Sequence, residues 1–312
     1  MSSGSQITTY YAVEDTAGVT PDVPAWQTLR FTSNALTPTV NTTTSDEIRD
    51  TRMSTGMINT SNDFGGSVGG EFSAQTIDDL LEGAFYGNWT DDVLTIGDTR
   101  NTYTIAKSYR DIDVYSVFRG CHVGEFTLDV PEDGKITYTF TMAGLDYEDG
   151  VTSFVTDPAP ANENPLMGSG NSVGTILIDG ESLEGRACIS AFTLTVNNNL
   201  QLQRCLGKLG PGAQIATEAG VSGNLTMAWS QRAYQLWRNM FTRTPVELVL
   251  PLVDSLGNRY TIRIPQAELD GELPDGGKRD IVDIQLTYTA RIEPVTITRE
   301  LVVVADNTDV AA

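Results

Sequence analysis

The sequence predicts a mainly β fold, built as two tandem copies of one β-domain with a single packed α-helix each. Three observations carry this. Short alternating runs rich in Thr, Val, Ile, Tyr and Phe recur along the 312 residues, only two segments have helical periodicity, and landmarks of the first half return in order in the second.

The strand signals are runs bounded by Gly, Asp, Asn and Pro. Phe126–Val130 and Ile136–Met142 flank Pro131-Glu-Asp-Gly134, a sequence suited to a hairpin turn. Phe192–Val196, Val246–Val253, Arg259–Ile264 and Ile281–Arg291 follow, with further turns at Asp254-Ser-Leu-Gly257 and Leu273-Pro-Asp-Gly-Gly277.

The first helix is expected over Ile77–Phe85, capped by Thr76. Ile77, Leu80, Leu81, Ala84 and Phe85 share a face, and Asp78 and Asp79 complement the dipole in the first turn. The second runs from a Ser230 cap to about Phe241, with Ala233, Trp237, Met240 and Phe241 on its apolar stripe.

Aligning the two helices exposes the repeat. Gly70 matches Gly223, Leu80-Leu81 matches Leu236-Trp237, and Phe85 matches Phe241. Asn101-Thr-Tyr-Thr-Ile105 matches Asn258-Arg-Tyr-Thr-Ile262, and Thr137-Tyr-Thr139 matches Thr287-Tyr-Thr289, all at offsets of 150 to 157 residues. The expected division is an arm at 1–25, a first domain at 26–147, a Pro- and Gly-rich linker at 148–182, a second domain at 183–292 and an acidic, Val-rich tail at 293–312.

Charge narrows the function. Asp plus Glu number 41 against 20 Lys plus Arg, a formal net charge of −21. Such a surface repels phosphates and anionic membranes, so a role gripping nucleic acid is disfavoured. Residues 1–150 carry −15 of that charge and 151–312 carry −6, so a lining drawn from both halves is expected to be acidic chiefly through the first. The N-terminus lacks the basic and apolar segments of a signal peptide, and no apolar run approaches the ~18 residues of a membrane span.

Candidates for chemistry are few. Cys121, Cys188 and Cys205 have no metal-ligand spacing and are expected as buried or half-buried free thiols. The single histidine, His122, adjoins Cys121, but neighbouring strand residues point to opposite faces, which argues against a dyad. Gly65-Gly-Ser-Val-Gly-Gly70 lacks the Lys-Ser/Thr of a phosphate loop and reads as the approach to a strand. The acid clusters Asp91-Asp92, Asp111-Ile-Asp113 and Asp146-Tyr-Glu-Asp149 have no calcium-loop pattern and read as solvated turns. No enzyme activity, cofactor or metal is therefore expected. Residues 41–64 form a polar segment long for a hairpin loop, with a shorter, Gly-rich counterpart at Gly207–Gly220. Contact with a neighbouring subunit is the expected role, through Asp46, Glu47, Arg49, Asp50 and Arg52.

The opening Tyr11-Ala-Val-Glu-Asp-Thr-Ala-Gly-Val-Thr-Pro21 and Trp26-Gln-Thr-Leu-Arg-Phe31 resemble the start of tail tube proteins from long, non-contractile tailed phages. Asp46-Glu-Ile-Arg49 with Arg52, the Gly-rich approach to a strand and the helix Ile77–Phe85 look like the same family. So do Ile189–Val196, Val221-Ser-Gly-Asn-Leu225, Thr244-Pro-Val-Glu-Leu248 and Tyr260-Thr-Ile-Arg-Ile-Pro265. The resemblance implies two tandem β-sandwich or barrel-like tail tube domains, each with one flanking α-helix, whose inner strands close into a ring, here three chains in a pseudo-sixfold arrangement, with rings stacked as the conduit for genome delivery. It implies other tail proteins, such as tape measure and tail terminator, as partners. DNA would pass without specific binding, no membrane would be engaged, and the site of action would be the virion tail after assembly in host cytoplasm. Rival readings are a secreted tandem β-sandwich that binds carbohydrate, which would need an export signal, an acidic hydrolase, and another virion protein such as a tail terminator or capsid decoration.

Overall fold

Alternation of apolar and polar residues governs the architecture. The computed structural model describes residues 3–302 apart from 51, 54, 55 and 184–186, and among them strands predominate, with helices at Asp78–Phe85 and Gln231–Thr242 and one helical turn at Ser169–Ser172. The final ten residues of the acidic tail expected at 293–312 lie outside the described residues.

Each half is a two-layered β unit turned on one bent strand. In the first half the early part of Val114–Val130 pairs with Thr102–Tyr109 and Asp146–Val151, while its later part pairs with Thr137–Gly144. In the second, Arg259–Arg263 pairs with Val246–Val253 and Thr296–Glu300, while Ala267–Asp270 pairs with Asp283–Ala290. A register shift marks both bends, between Val123 and Glu125 and between Ile264 and Ala267, which is how one strand passes from one layer to the other. Both helices pack against the bent strand of their own half.

The strand Ile7–Glu14, within the segment read as an arm, pairs along its whole length with Thr102–Tyr109. Tyr10, Tyr11 and Ala12 are buried there, and Trp26 packs edge-on against Phe154 of the linker, so apolar burial holds this segment in place. The linker is also laid down closely. Arg30 donates to the carbonyls of Asn162 and Asn164, and Met167, fully buried, exchanges backbone hydrogen bonds with Phe72 and Ile136. Thr296–Glu300, within the segment read as tail, is a strand of the second half.

Thr76 does not cap the first helix. Ile77 takes the cap position with no side-chain bond, and Thr76 Oγ1 instead lies 2.6 Å from Ser73 Oγ. Ser230 caps the second as expected, accepting from the Ala233 amide at 3.2 Å. Its buried stripe is Ala233 and Leu236, whereas Phe241 is exposed. The run Gly65–Gly70 lies inside the strand Met57–Glu71 rather than before it.

One sequence match shifts place. Asn101–Ile105 opens the strand Thr102–Tyr109, whose position in its half corresponds to Val246–Val253, not to Arg259–Asp270. The two tyrosines nonetheless converge: Tyr103 donates to the Asp79 carbonyl and Tyr260 to the Asp78 carboxylate, clasping one helix start from two sides.

Candidate functional surface: a polar sheet face and its open edges

A single antiparallel sheet runs through both halves. Its strands, in order, are Met57–Glu71, Thr137–Gly144, the later part of Val114–Val130, Ile189–Asn197, Gly220–Ala228, Asp283–Ala290 and the later part of Arg259–Asp270. The halves join where Glu125–Val130 pairs with Phe192–Asn197.

Cross-strand partners share a face, so the register fixes what that face presents. One row reads Gly69, Thr139, Thr127, Thr195, Ser222, Thr289, Glu268. The next reads Glu71, Thr137, Asp129, Thr193, Asn224, Thr287, Asp270. A third reads Ser67, Thr141, Glu125, Asn197, Gly220. These rows hold hydroxyls, amides and carboxylates, and neither Lys nor Arg stands in them. Glu71, Glu125 and Asp129 come from the first half and Glu268 and Asp270 from the second, and from outside the rows Lys135 pairs with Glu71, Arg291 with Glu268 and Arg243 with Asp270. Across the seam Asn197 donates to Glu125 at 2.8 Å and the hydroxyls of Thr127 and Thr195 lie 3.4 Å apart.

The alternate residues point the other way and form the core: Val68, Tyr138, Phe140, Phe126, Leu128, Phe192, Leu194, Leu225, Leu286 and Tyr288 are all buried. Gly70 faces Tyr138, and Gly223 faces Tyr288, at the same cross-strand position in each half. The phenol of Tyr138 then donates to Arg30 O and that of Tyr288 to Thr193 O, each at 2.6 Å.

Behind the seam the halves are locked around the first helix. Asn198, buried, donates to the carbonyls of Ala84 and Val123. Arg299 bonds Asp78 at 2.6 Å and Asp92 at 2.9 Å, and its guanidinium lies over the Trp89 ring at 4.3 Å. Burial raises the Asp78 carboxyl above the ordinary range, against the hydrogen bonds from Tyr260 and Arg299. Thr296–Thr298 pairs with Val93–Thr95 beside this cluster.

Among the described residues the sheet ends on open edges. At one end Thr37–Thr44 pairs with Met57–Gly65 on one side, and at the other Glu268–Asp270 pairs with Thr287–Thr289 on one side. Residues 41–64 are not one long loop. Thr37–Thr44 and Met57–Glu71 form a projecting hairpin, braced at its root by Arg204 on Asp63 at 2.7 Å and by the Asn62 amide on Leu209 O. Asp46, Glu47, Arg49, Asp50 and Arg52 sit at its exposed tip, where Arg49 pairs with Glu47 at 2.6 Å. Gln201–Gln203 and Ala213–Ile215 form the smaller hairpin of the second half, around the Gly-rich segment at 207–220.

The chemical candidates resolve into packing. Cys121 is buried and its thiol is pushed well up by burial, while Cys188 and Cys205 are exposed rather than tucked away, because they fall outside the alternating strand positions. His122 is buried, with Nδ1 2.9 Å from Gly120 O, and burial lowers its pKa. Asp146 and Glu148 pair with Arg119 at 3.8 and 2.6 Å, and Asp92 pairs with Arg299. Among the described residues there is no cluster of His, Cys, Asp and Glu suited to a metal ion, and no helix long and apolar enough to cross a membrane.

No curated protein matches the chain. The family model for phage tail tube proteins matches residues 4–290, spanning both halves and the seam between them. With that match over nearly its whole length, and with a mainly β architecture to suit it, the chain belongs to the phage tail tube protein family.

Proposed function

We propose that three chains close into a ring of six equivalent β units and that stacked rings form the tube through which the genome leaves. The carrying observation is the sheet that crosses both halves by strand pairing and ends on an open edge at each side. Exposed edges are a liability in a monomer, but head-to-tail pairing turns them into joints, and a rotation that divides the circle closes the ring. The repeated Gly–Tyr pairing supports reading the chain as a duplication, with each half taking an equivalent place around the axis.

The polar face is the lumen in this reading. Its rows present hydroxyls and carboxylates, and the cations beside them, Lys135 on Glu71, Arg291 on Glu268 and Arg243 on Asp270, are already paired, so phosphates meet little free counter-charge and DNA passes without being held. The hairpin tip bearing Asp46, Glu47, Arg49, Asp50 and Arg52 meets the next ring. Tape measure and tail terminator proteins are the further partners, and assembly takes place in the host cytoplasm before the tail is complete. The test is charge reversal in the lumen, away from the ring joints: a phage carrying Asp129→Lys should build tails of normal length yet release its genome more slowly. Unchanged release from those tails would contradict the lumen assignment.

A further inference from the structure

The two helices occupy corresponding places behind the sheet but keep different company. Leu80, Leu81, Ala84 and Phe85 of the first are at most 1% exposed. Part of its cover is the connection 86–101, which contributes Val93–Thr95, and part is the second half through Asn198, Tyr260 and Arg299. The second helix has no such connection, because the chain reaches Val246–Val253 after only three residues.

The consequence is an uncovered aromatic face. Phe241, the repeat counterpart of Phe85, is 68% exposed, and Tyr234 is 43% exposed. Trp229 and Tyr234 have ring centroids 5.9 Å apart, Tyr234 and Trp237 5.9 Å, and Trp237 and Phe241 5.2 Å, with Arg238 over the Tyr234 ring. Rings in mutual contact on a surface, with arginine among them, are the composition of an interface centre.

Its position says what covers it. Trp237 Nε1 donates to Gly271 O at 3.0 Å, and Gly271 directly follows the open edge Glu268–Asp270. The aromatic face and that edge therefore form one continuous surface. In the first half the corresponding surface, the helix Asp78–Phe85 with the edge Glu125–Val130, is filled by the second half of the same chain. Of the arginines beside the aromatic face, Arg232 pairs with Asp179 and Glu181 and Arg243 with Asp270, which leaves Arg238 over the Tyr234 ring to face a partner whose residues 1–150 carry a net −15.

We propose that the aromatic face of Gln231–Thr242 is the socket for the first half of a neighbouring chain, reproducing between chains the junction that Asp78–Phe85 makes within one. This rests on the ring reading above. The socket differs from the internal junction in being aromatic where the other has the Asp78–Arg299 pair, so each chain contributes two unlike seams.

The experiment places photo-reactive benzoylphenylalanine at position 241, irradiates assembled material and maps the adducts by mass spectrometry, alongside Phe241→Asp. The expected result is an inter-chain adduct to peptides from residues 3–151, with Phe241→Asp lowering ring yield at least tenfold while its melting temperature stays at the wild-type value. An adduct to the chain's own tail, an adduct to a neighbour's second half, or no inter-chain adduct in assembled rings would overturn the socket alone. So would rings forming equally well from Phe241→Asp. Wild-type protein that never forms rings would overturn the ring reading and the socket with it.

Discussion

Gly70 and Gly223 have no room for a side chain. A β-carbon on Gly223 would run into the Thr193 carbonyl oxygen and the Tyr288 hydroxyl, and one on Gly70 into the Tyr138 ring. Gly223→Ala must displace backbone as well as a buried ring, so a loss of about 1–3 kcal/mol is expected, read by chemical denaturation. His122 gives a cleaner test, because it is the only histidine. Burial lowers its pKa, so the unfolded chain takes up a proton first as the pH falls. Stability is therefore full above about pH 6.5 and declines below it, and His122→Asn should flatten that decline between about pH 7.5 and 5.5 in thermal melts. At this scale Gly70 and Gly223, and the tyrosines at 138 and 288, were legible as separate repeat landmarks, while their pairing across strands was not. The pairing of Asp78 with Arg299 was not, because 221 residues separate them and neither has a local signature.

Elements were legible where alternation is uninterrupted. Val246–Val253 falls on its expected bounds, and the turn at Pro131–Gly134 and the Ser230 cap lie where expected, although both strands of that hairpin run further than the sequence indicated. Reading failed where the chain bends. Only Phe126–Val130 of the strand Val114–Val130 showed in the sequence, because Gly120, in a left-handed conformation at φ +63°, and Gly124 interrupt the pattern at the corner. Ile7–Glu14 was lost among flanking Gly and Pro. Ser230→Ala should cost about 1 kcal/mol through the lost cap. Thr76→Ala should spare the first helix's cap, since Thr76 bonds Ser73 instead. Arg299→Met leaves Asp78 buried without its cation, and roughly 2–3 kcal/mol should be lost, less than for a fully buried pair because Arg299 is 21% exposed. Replacing the hairpin tip 45–56 by a short turn should leave the melting temperature unchanged and stop tube growth in electron micrographs, since the strands beyond it belong to the sheet. Tubes of normal length from that variant would assign the tip another role.

For the whole molecule, charge and repetition work together in the proposed ring. The central rows of the polar face hold no Lys or Arg, and one sheet runs through both halves. The differences between the halves, the long hairpin against the short one and the buried helix against the exposed aromatic one, should then alternate around the axis. The bent strands and the seam Glu125–Val130 with Phe192–Asn197 set the spacing of neighbouring units, because a paired strand sits about 4.8 Å from the next and cannot slip without exposing its core face. A cryo-EM reconstruction of the assembled tube tests this most directly. The account predicts three chains per ring, both halves in the wall, with the rows through Thr127–Thr195 and Asp129–Thr193 lining the lumen. Six chains per ring, each placing only one half in the wall, would contradict it.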